Sequence, residues 1–163
     1  RAPERTAQLI LQVAGRAGRA ERPGLVLLQT HQPEHELLTE LVRTGYPAFA
    51  ERALAERRAL GLPPAGHLVL LRAEAGKPEL PAGFLQAASA AAEALGVPEV
   101  LRFGPVPAPM ERRAGRFRAH LLLQCTQRSP LRELLGALIP LIEALPDARR
   151  VRWSVDVDPQ ELS

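Results

Sequence analysis

The chain of 163 residues has only one cysteine and four histidines, the residues that build disulfides and most zinc sites. Cys125 is the only cysteine, which excludes an internal disulfide and a cysteine-based zinc site within this sequence. His31 and His35 have the i, i+4 spacing of helical metal ligands, but Pro33 lies between them and no third ligand follows. We therefore expect no metal site in this chain.

Long apolar runs are also absent. No run approaches the roughly 20 residues of a membrane-spanning helix, and no charged and then apolar leader precedes the first helix. The chain begins at Arg1 rather than at an initiator methionine. These features predict a piece of a longer cytoplasmic protein that has no membrane partner.

Lysine is nearly absent too, since Lys77 is the only lysine among 21 basic residues and the rest are arginines. With 18 acidic residues the net charge is +3, and the isoelectric point is about 9.9. A basic chain favours a partner with phosphate groups, although codon usage can also enrich arginine. The positions of the arginines are therefore more informative than their number.

Residues 12–19 read Gln-Val-Ala-Gly-Arg-Ala-Gly-Arg and carry two arginines three positions apart. Arg16 and Arg19 fall on one side of a predicted helix end, and Gln12 lies one turn before Arg16. A guanidinium is planar and permanently charged, as a site that neutralises a transferring phosphoryl group requires. The same spacing occurs on ordinary solvated helix faces, so both interpretations stay open here.

The chain divides by its apolar pattern into three segments, residues 1–32, 33–64 and 65–163. In the first, a helix over residues 1–19 has apolar positions at Leu9, Ile10, Val13 and Ala14. Residues 25–28 then form a continuous apolar run, which predicts a strand buried on both faces of a parallel sheet.

The second segment contains two amphipathic helical stripes separated by Gly45-Tyr46-Pro47. Pro63-Pro64 ends this helical connector and marks a domain boundary. The elements predicted next are a strand over His67–Ala75, a helix over residues 84–95 and a strand over 99–103. A loop over 104–116 and a strand over 117–125 follow. The last two elements are a helix that is capped by Ser129 and kinked or ended early by Pro140, and a strand with Val151, Trp153, Val155 and Val157 inward.

That order is the split β-α-β pattern of ferredoxin-like (βαββαβ) domains, an antiparallel sheet covered on one face by two helices. The predicted class is thus α/β followed by α+β. The inward alternation of the last strand makes Trp153 a core residue. Asp156 and Asp158 read as structural carboxylates paired with arginines rather than as a catalytic pair.

Short segments along the whole chain resemble the C-terminal part of the PriA (primosomal protein N′) family of bacterial replication-restart helicases. Residues 12–19 alone are similar to the last conserved motif of superfamily 2 helicases. The other matching segments include Gln29-Thr30-His31 and residues 48–51, 62–64, 104–108, 113–118 and 156–159.

The resemblance implies an ATP-driven 3′-to-5′ DNA translocase that recognises stalled or abandoned forks and initiates primosome assembly. Segment 1–32 would then end the second RecA-like lobe, with Gln12, Arg16 and Arg19 facing the nucleotide. The P-loop, the Mg-binding motif and the zinc-binding cysteines would lie upstream, so this piece alone should be inactive. The alternative is a relative that has lost these motifs and recruits primosome proteins and the helicase loader at forks without ATP hydrolysis.

The densest basic cluster lies in segment 65–163, which the resemblance makes a DNA- and partner-binding domain. Four arginines and one aromatic residue form it, namely Arg112, Arg113, Arg116, Phe117 and Arg118. Arginines on a loop can reach phosphates, and an aromatic ring among them offers a stacking surface for an unpaired base. The alternative is a solvated hairpin whose Phe117 joins the core.

Arg128 and Arg132 lie one turn apart at the start of the last predicted helix. Cations are electrostatically unfavourable at a helix N-terminus, which suggests a binding task. The resemblance implies the acidic, Phe-ending C-terminal tail of the single-stranded DNA-binding protein as the ligand. The alternative is simple pairing with Glu133 or other surface acids.

Overall fold

The computed structural model describes residues 2–17 and 25–160, which form two compact units, residues 1–56 and 57–163. The division falls after Glu56, inside the segment predicted as a helical connector. In chain order the elements are α1 (Ala2–Ala17), α2 (Glu36–Ala59), β1 (His67–Ala75), α3 (Glu79–Ala94), β2 (Leu101–Arg113), β3 (Arg116–Cys125), α4 (Arg128–Glu143) and β4 (Arg152–Val157). None of the described helices is long and apolar enough to cross a membrane.

The first unit is built from α1 and a kinked α2. Ala7 on α1 and Leu41 and Phe49 on α2 are buried together, and the Tyr46 ring lies 6.2 Å from that of Phe49. α2 breaks at Gly45, whose φ of 78° is readily reached only by glycine. The predicted break between two helical stripes is therefore confirmed.

One apolar prediction in the first unit is wrong. Residues 25–28 do not form a strand, and Leu25 and Leu27 are 82% and 85% exposed. A buried strand needs neighbours that pair with its backbone, and no described strand pairs with this run. Leu9 and Val13 on α1 are exposed as well, because Ala7 and Ile10 provide the contacts with α2.

The second unit contains a four-stranded antiparallel sheet in the order β2-β3-β1-β4. Alternation along β1 and β3 sends one set of side chains toward α3 and α4. The residues of this core are Val69, Leu71, Ala73, Ala75, Phe84, Leu85, Ala88, Ala92, Val100, Ala119, Leu121, Leu123, Cys125, Leu131, Leu134, Leu138, Ile142 and Val151. The α+β class is confirmed, and the βαββαβ order is compatible with the ferredoxin-like prediction.

β4 closes the sheet beside β1. Trp153 packs against the core, with its ring 6.1 Å from that of Phe84, as predicted for an inward residue. Val157 is 53% exposed and was wrongly placed in the core. It is the last residue of the strand.

The two aspartates near this end stabilise the sheet, as predicted. Asp156 lies 2.7 Å from the Arg72 guanidinium across the strands. The backbone N–H of Leu68 donates to Asp158 Oδ1 at 3.1 Å, and the N–H of Asp158 donates to the Leu68 carbonyl at 2.7 Å. The second aspartate meets backbone and His67 rather than an arginine.

β2 is longer than predicted, because it continues through most of the segment expected to be a loop. Pro105, Pro107 and Pro109 favoured the loop interpretation, since proline donates no backbone hydrogen bond. β2 is an edge strand, where an alternate position can face away from the neighbouring strand. Two irregularities in its register with β3 accommodate the remaining residues.

The helix boundaries also differ from the prediction. α3 begins at Glu79 rather than near residue 84. α4 begins at Arg128, so Ser129 lies inside the helix, where its hydroxyl is 3.3 Å from Glu133 Oε1. Pro140 does not end α4, which continues to Glu143. Proline has no N–H to donate to the Gly136 carbonyl one turn earlier, but Gly136 is exposed, so water can satisfy that carbonyl.

Candidate nucleic-acid interface

The predicted basic loop is the ordered tip of the β2–β3 hairpin. Ala114 and Gly115 have φ values of 50° and 78°, as a two-residue turn with a positive φ at both central positions requires. Arg113 and Arg116 are paired directly on either side of this turn. The hairpin therefore presents its arginines from regular backbone.

Arg112, Arg113 and Arg116 are all exposed at this tip, and none of them forms an ion pair with a described acidic residue. The Arg112 guanidinium lies 5.3 Å from the centroid of the half-buried Phe117 ring. This cation–π contact occupies one face of the ring. A stacking role for Phe117 stays a prediction, but an unpaired base could not stack on the face that Arg112 covers.

Arg118 lies one step further from the tip, on the sheet face that the helices leave uncovered. It is paired with Glu74 in the register, and Glu74 is also 3.4 Å from Arg152. Directly opposite residues share a face of an antiparallel sheet, so Arg113, Arg116 and Arg118 lie along the same side. The structure thus brings three of the four predicted arginines onto one surface.

His120 is buried on this same face, with only 5% of its surface exposed. Its Nε2 atom has no hydrogen-bond partner in the described part of the chain. Burial lowers the pKa of His120, and the positive charges of Arg118 and Arg72 lower it further. In the sequence, His120 alternates with the apolar Ala119 and Leu121, which predicts the outer face of the strand for it and gives no sign of this burial.

We predict that His120 makes the second unit less stable in mild acid. Its pKa is lowered in the folded state, so the unfolded chain binds more protons as the pH falls through about 6.5. Stability should therefore be retained above that pH and lost below it. His120→Leu should show a smaller loss between about pH 7.5 and about pH 5.5, measured by urea unfolding through Trp153 fluorescence.

Trp153 is the only tryptophan and lies in the second unit, so the signal reports this unit alone. The other histidines are present in both proteins and cancel in the comparison. An identical pH dependence for the variant would contradict a destabilising protonation of His120.

The arginines of α4 are exposed near its N-terminus. Arg128 opens the helix and Arg132 follows one turn later, and neither is ion-paired with a described acid. Glu133, their predicted alternative partner, lies beside the Ser129 hydroxyl instead. No side chain caps this helix N-terminus.

The helicase-like motif lies on α1. Gln12 and Arg16 are exposed, on the side of the helix away from the buried Ala7. Arg19 lies outside the described residues. Within residues 2–17 and 25–160, no three His, Cys, Asp or Glu side chains converge as a metal site would require.

An α+β domain with an arginine-tipped hairpin has the charge and exposure of a nucleic-acid-binding module. Residues 58–160 match the family model described as the primosomal protein N C-terminal domain. The chain therefore belongs to the PriA family of replication restart proteins, and the resemblance noted in its sequence is confirmed.

Curated relatives agree over the whole length of the chain. It is 43% identical to replication restart protein PriA of Haemophilus influenzae over 100% of its residues, and 37% identical to that of Synechocystis over 99%. The Bacillus subtilis protein is 30% identical over 98%. The chain spans only 22%, 19% and 20% of these three relatives.

Among solved structures, the de novo designed protein Foldit4 is similar to 59% of the chain, with 11% identity and a TM-score of 0.44. A likeness at this level is too low to support a conclusion about function.

Proposed function

We propose that this chain acts in replication restart as the C-terminal part of a protein that binds forked DNA through residues 57–163. The observation that carries the proposal is the group of exposed arginines at the tip of one β-hairpin of a PriA-family domain. Its role in replication restart is the role that its relatives' names give. Contact with fork DNA by this hairpin is our inference.

Electrostatics favours phosphate as the ligand of the hairpin. Arg113 and Arg116 are paired across the turn, and Glu111 is the only acidic residue between residues 100 and 132. Phosphate contacts release counterions, so their number can be counted from the salt dependence of binding. A regular hairpin also reduces the ordering cost that a flexible loop would incur on binding.

The test is replacement of Arg113 and Arg116 with alanine in the full 163-residue chain. Fork-DNA affinity should fall about tenfold or more. The plot of log affinity against log salt should become less steep by about 2, since each lost phosphate contact reduces the magnitude of its slope by about 1. Fluorescence anisotropy with a labelled fork over a range of salt concentrations measures both quantities.

The matched control replaces Arg58 and Arg149, which are also exposed, with alanine, so that the same total charge is removed. This variant should retain most of its affinity. If both double variants lose equal affinity, the effect is one of net charge and the hairpin is not a specific site. An unchanged salt slope in the hairpin variant would contradict the proposal.

We also infer that the longer protein translocates 3′ to 5′ on DNA with ATP and Mg, with Gln12, Arg16 and Arg19 facing the nucleotide. The exposure of Gln12 and Arg16 supports this, since a nucleotide held by another lobe must reach them. ATP, Mg and zinc would be bound mainly upstream. DNA-stimulated ATP hydrolysis by the longer protein separates this function from non-catalytic recruitment of primosome proteins and the helicase loader.

Arg128 and Arg132 form the second proposed site. Two exposed cations one helical turn apart can bind neighbouring carboxylates of one extended peptide. We infer that their ligand is the acidic, Phe-ending tail of the single-stranded DNA-binding protein.

A further inference from the structure

On the sheet face opposite the helices, side chains of β1 are buried, whereas side chains of the edge strand β2 are exposed. On β1, Leu68 and Leu70 of this face are only 4% and 2% exposed. On the edge strand β2, Leu101, Phe103 and Val106 are 55%, 48% and 54% exposed. An apolar strip therefore faces solvent along β2.

The strand register places the strip on the same face as the hairpin arginines. Phe103 is directly opposite Leu122, and Val106 is directly opposite His120. Leu121 belongs to the helix-covered core, so by alternation Leu122 and His120 point to the other face. Phe103 and Val106 share that face because opposite residues project to the same side.

The strip is continuous with positive charge toward the hairpin tip. Arg118 lies four residues along β3 from Leu122, a distance of about 13 Å. Arg116 and Arg113 follow on the same face. Glu74, which is paired with Arg118 in the register, is shared with Arg152. Glu111, two residues before Arg113, forms no ion pair with Arg113 or Arg116 in the described part of the chain.

We propose that this face binds single-stranded DNA, with the Phe103 ring stacked on an unpaired base and Arg113, Arg116 and Arg118 along the phosphates. The proposal rests on the inferred binding of fork DNA by the hairpin and adds a base-stacking residue to it. Phe103 is the one exposed phenylalanine of the four, whereas Phe117 is half-buried and the Arg112 guanidinium lies over one face of its ring. An aromatic ring next to a cationic track is the arrangement that unpaired bases require.

The prolines of β2 and the base stacking of duplex DNA argue against two other occupants. Pro105, Pro107 and Pro109 remove N–H donors from the edge strand, so an added peptide strand could not form a regular ladder there. A duplex would present the arginines with phosphates, but its bases are already stacked on one another. Single-stranded DNA offers both an unpaired base that can stack on the ring and phosphates that can bind the guanidinium groups.

The experiment compares Phe103→Ala, Phe103→Leu and Phe103→Tyr in the full chain, with a labelled oligothymidine and a blunt duplex as probes. Phe103→Ala and Phe103→Leu should lower affinity for oligothymidine by about fivefold to a hundredfold. Phe103→Tyr, which keeps an aromatic ring, should stay within about twofold of the parent, and duplex affinity should change little in all three. Because no phosphate contact is removed, the salt slope should be unchanged.

Leu141→Ala is the matched control, since it truncates an exposed apolar side chain on α4. Circular dichroism and Trp153 fluorescence establish that each variant is folded, and Phe103→Leu keeps the test valid if the alanine variant is not. Normal oligothymidine binding by a folded Phe103→Leu variant would overturn the proposal, because leucine cannot stack as an aromatic ring does.

The two proposals fail in different ways. If Phe103 variants bind normally while the Arg113 and Arg116 variant does not, base stacking at Phe103 is overturned and fork binding by the hairpin stands. If neither set of variants loses affinity, both are overturned. Equal losses for oligothymidine and duplex in the Phe103 variants would also overturn stacking on an unpaired base.

Discussion

Replacing Gly66 with alanine should destabilise the second unit by about 3 kcal/mol or more, because the site has no room for a methyl group. A Cβ atom at this position would lie 2.0 Å from the carbonyl oxygen of Gly61 and 3.2 Å from that of Cys125. Both are backbone atoms, which cannot rotate away as a side chain can. The turn before β1 would have to move.

That turn is held in place by several backbone hydrogen bonds and by the sheet. The Gln124 side-chain amide donates to the carbonyls of Leu60 and Gly61 at 2.7 and 3.0 Å. The N–H of Gly66 donates to the Leu62 carbonyl. Displacing Gly61 would therefore also break the contacts of Gln124, whose polar group would lose its partners.

Urea unfolding followed by Trp153 fluorescence measures the loss in the second unit. Gly136→Ala is the control, since it adds the same methyl group within α4, where no described atom beyond the adjacent residues and the helix's own backbone lies within 4 Å. That variant should be more stable than the parent by about 0.5–1 kcal/mol, because alanine favours a helix. Equal stability for Gly66→Ala and the parent would show that the turn adapts without cost.

The elements that the sequence predicted well are those in which local pattern and burial agree. The bounds of β1 were predicted as observed, and the inward residues of β3 from Ala119 to Cys125 are all core residues. Here one face meets two helices, so alternation is visible in the residue types. The family resemblance depended on short identical segments and required no structure.

The failures lie where a neighbour decides the conformation. β2 contains three alternating prolines, which predict a loop from local preference but are tolerated on an edge strand. Residues 25–28 are apolar enough for a buried strand, yet a run of apolar residues does not create its own pairing partner. In both cases the missing information is the position of an element distant in sequence.

The candidate site was predicted in part for the same reason. The cluster at residues 112–118 is evident from arginine density alone, although its hairpin geometry is not. Phe103 lies outside any basic cluster, and its face depends on the register across an irregularity between Phe103 and Val106. Only the paired strands show that Phe103 and Arg118 share a surface.

Reversal of both charges in α4, Arg128→Glu with Arg132→Glu, should lower affinity for an acidic peptide ending in phenylalanine at least about a hundredfold. Each charge-assisted contact contributes about 1.5–3 kcal/mol, and the reversal replaces two attractions with two repulsions. Fluorescence anisotropy of a labelled peptide at low and high salt measures this loss. A peptide with its carboxylates replaced by amides should bind weakly to both proteins.

Loss of the fold is checked separately, by urea unfolding. Glutamate at position 128, the first residue of α4, interacts favourably with the helix dipole, whereas glutamate at both 128 and 132 places like charges at i, i+4, which costs about 0.2–0.5 kcal/mol. The double reversal should therefore unfold at nearly the same urea concentration as the parent. Fork-DNA binding should depend mainly on Arg113 and Arg116, whereas peptide binding should be indifferent to their replacement with alanine. An unaltered peptide titration after the reversal would exclude α4 as the tail-binding site, since no other change on this helix removes as much positive charge.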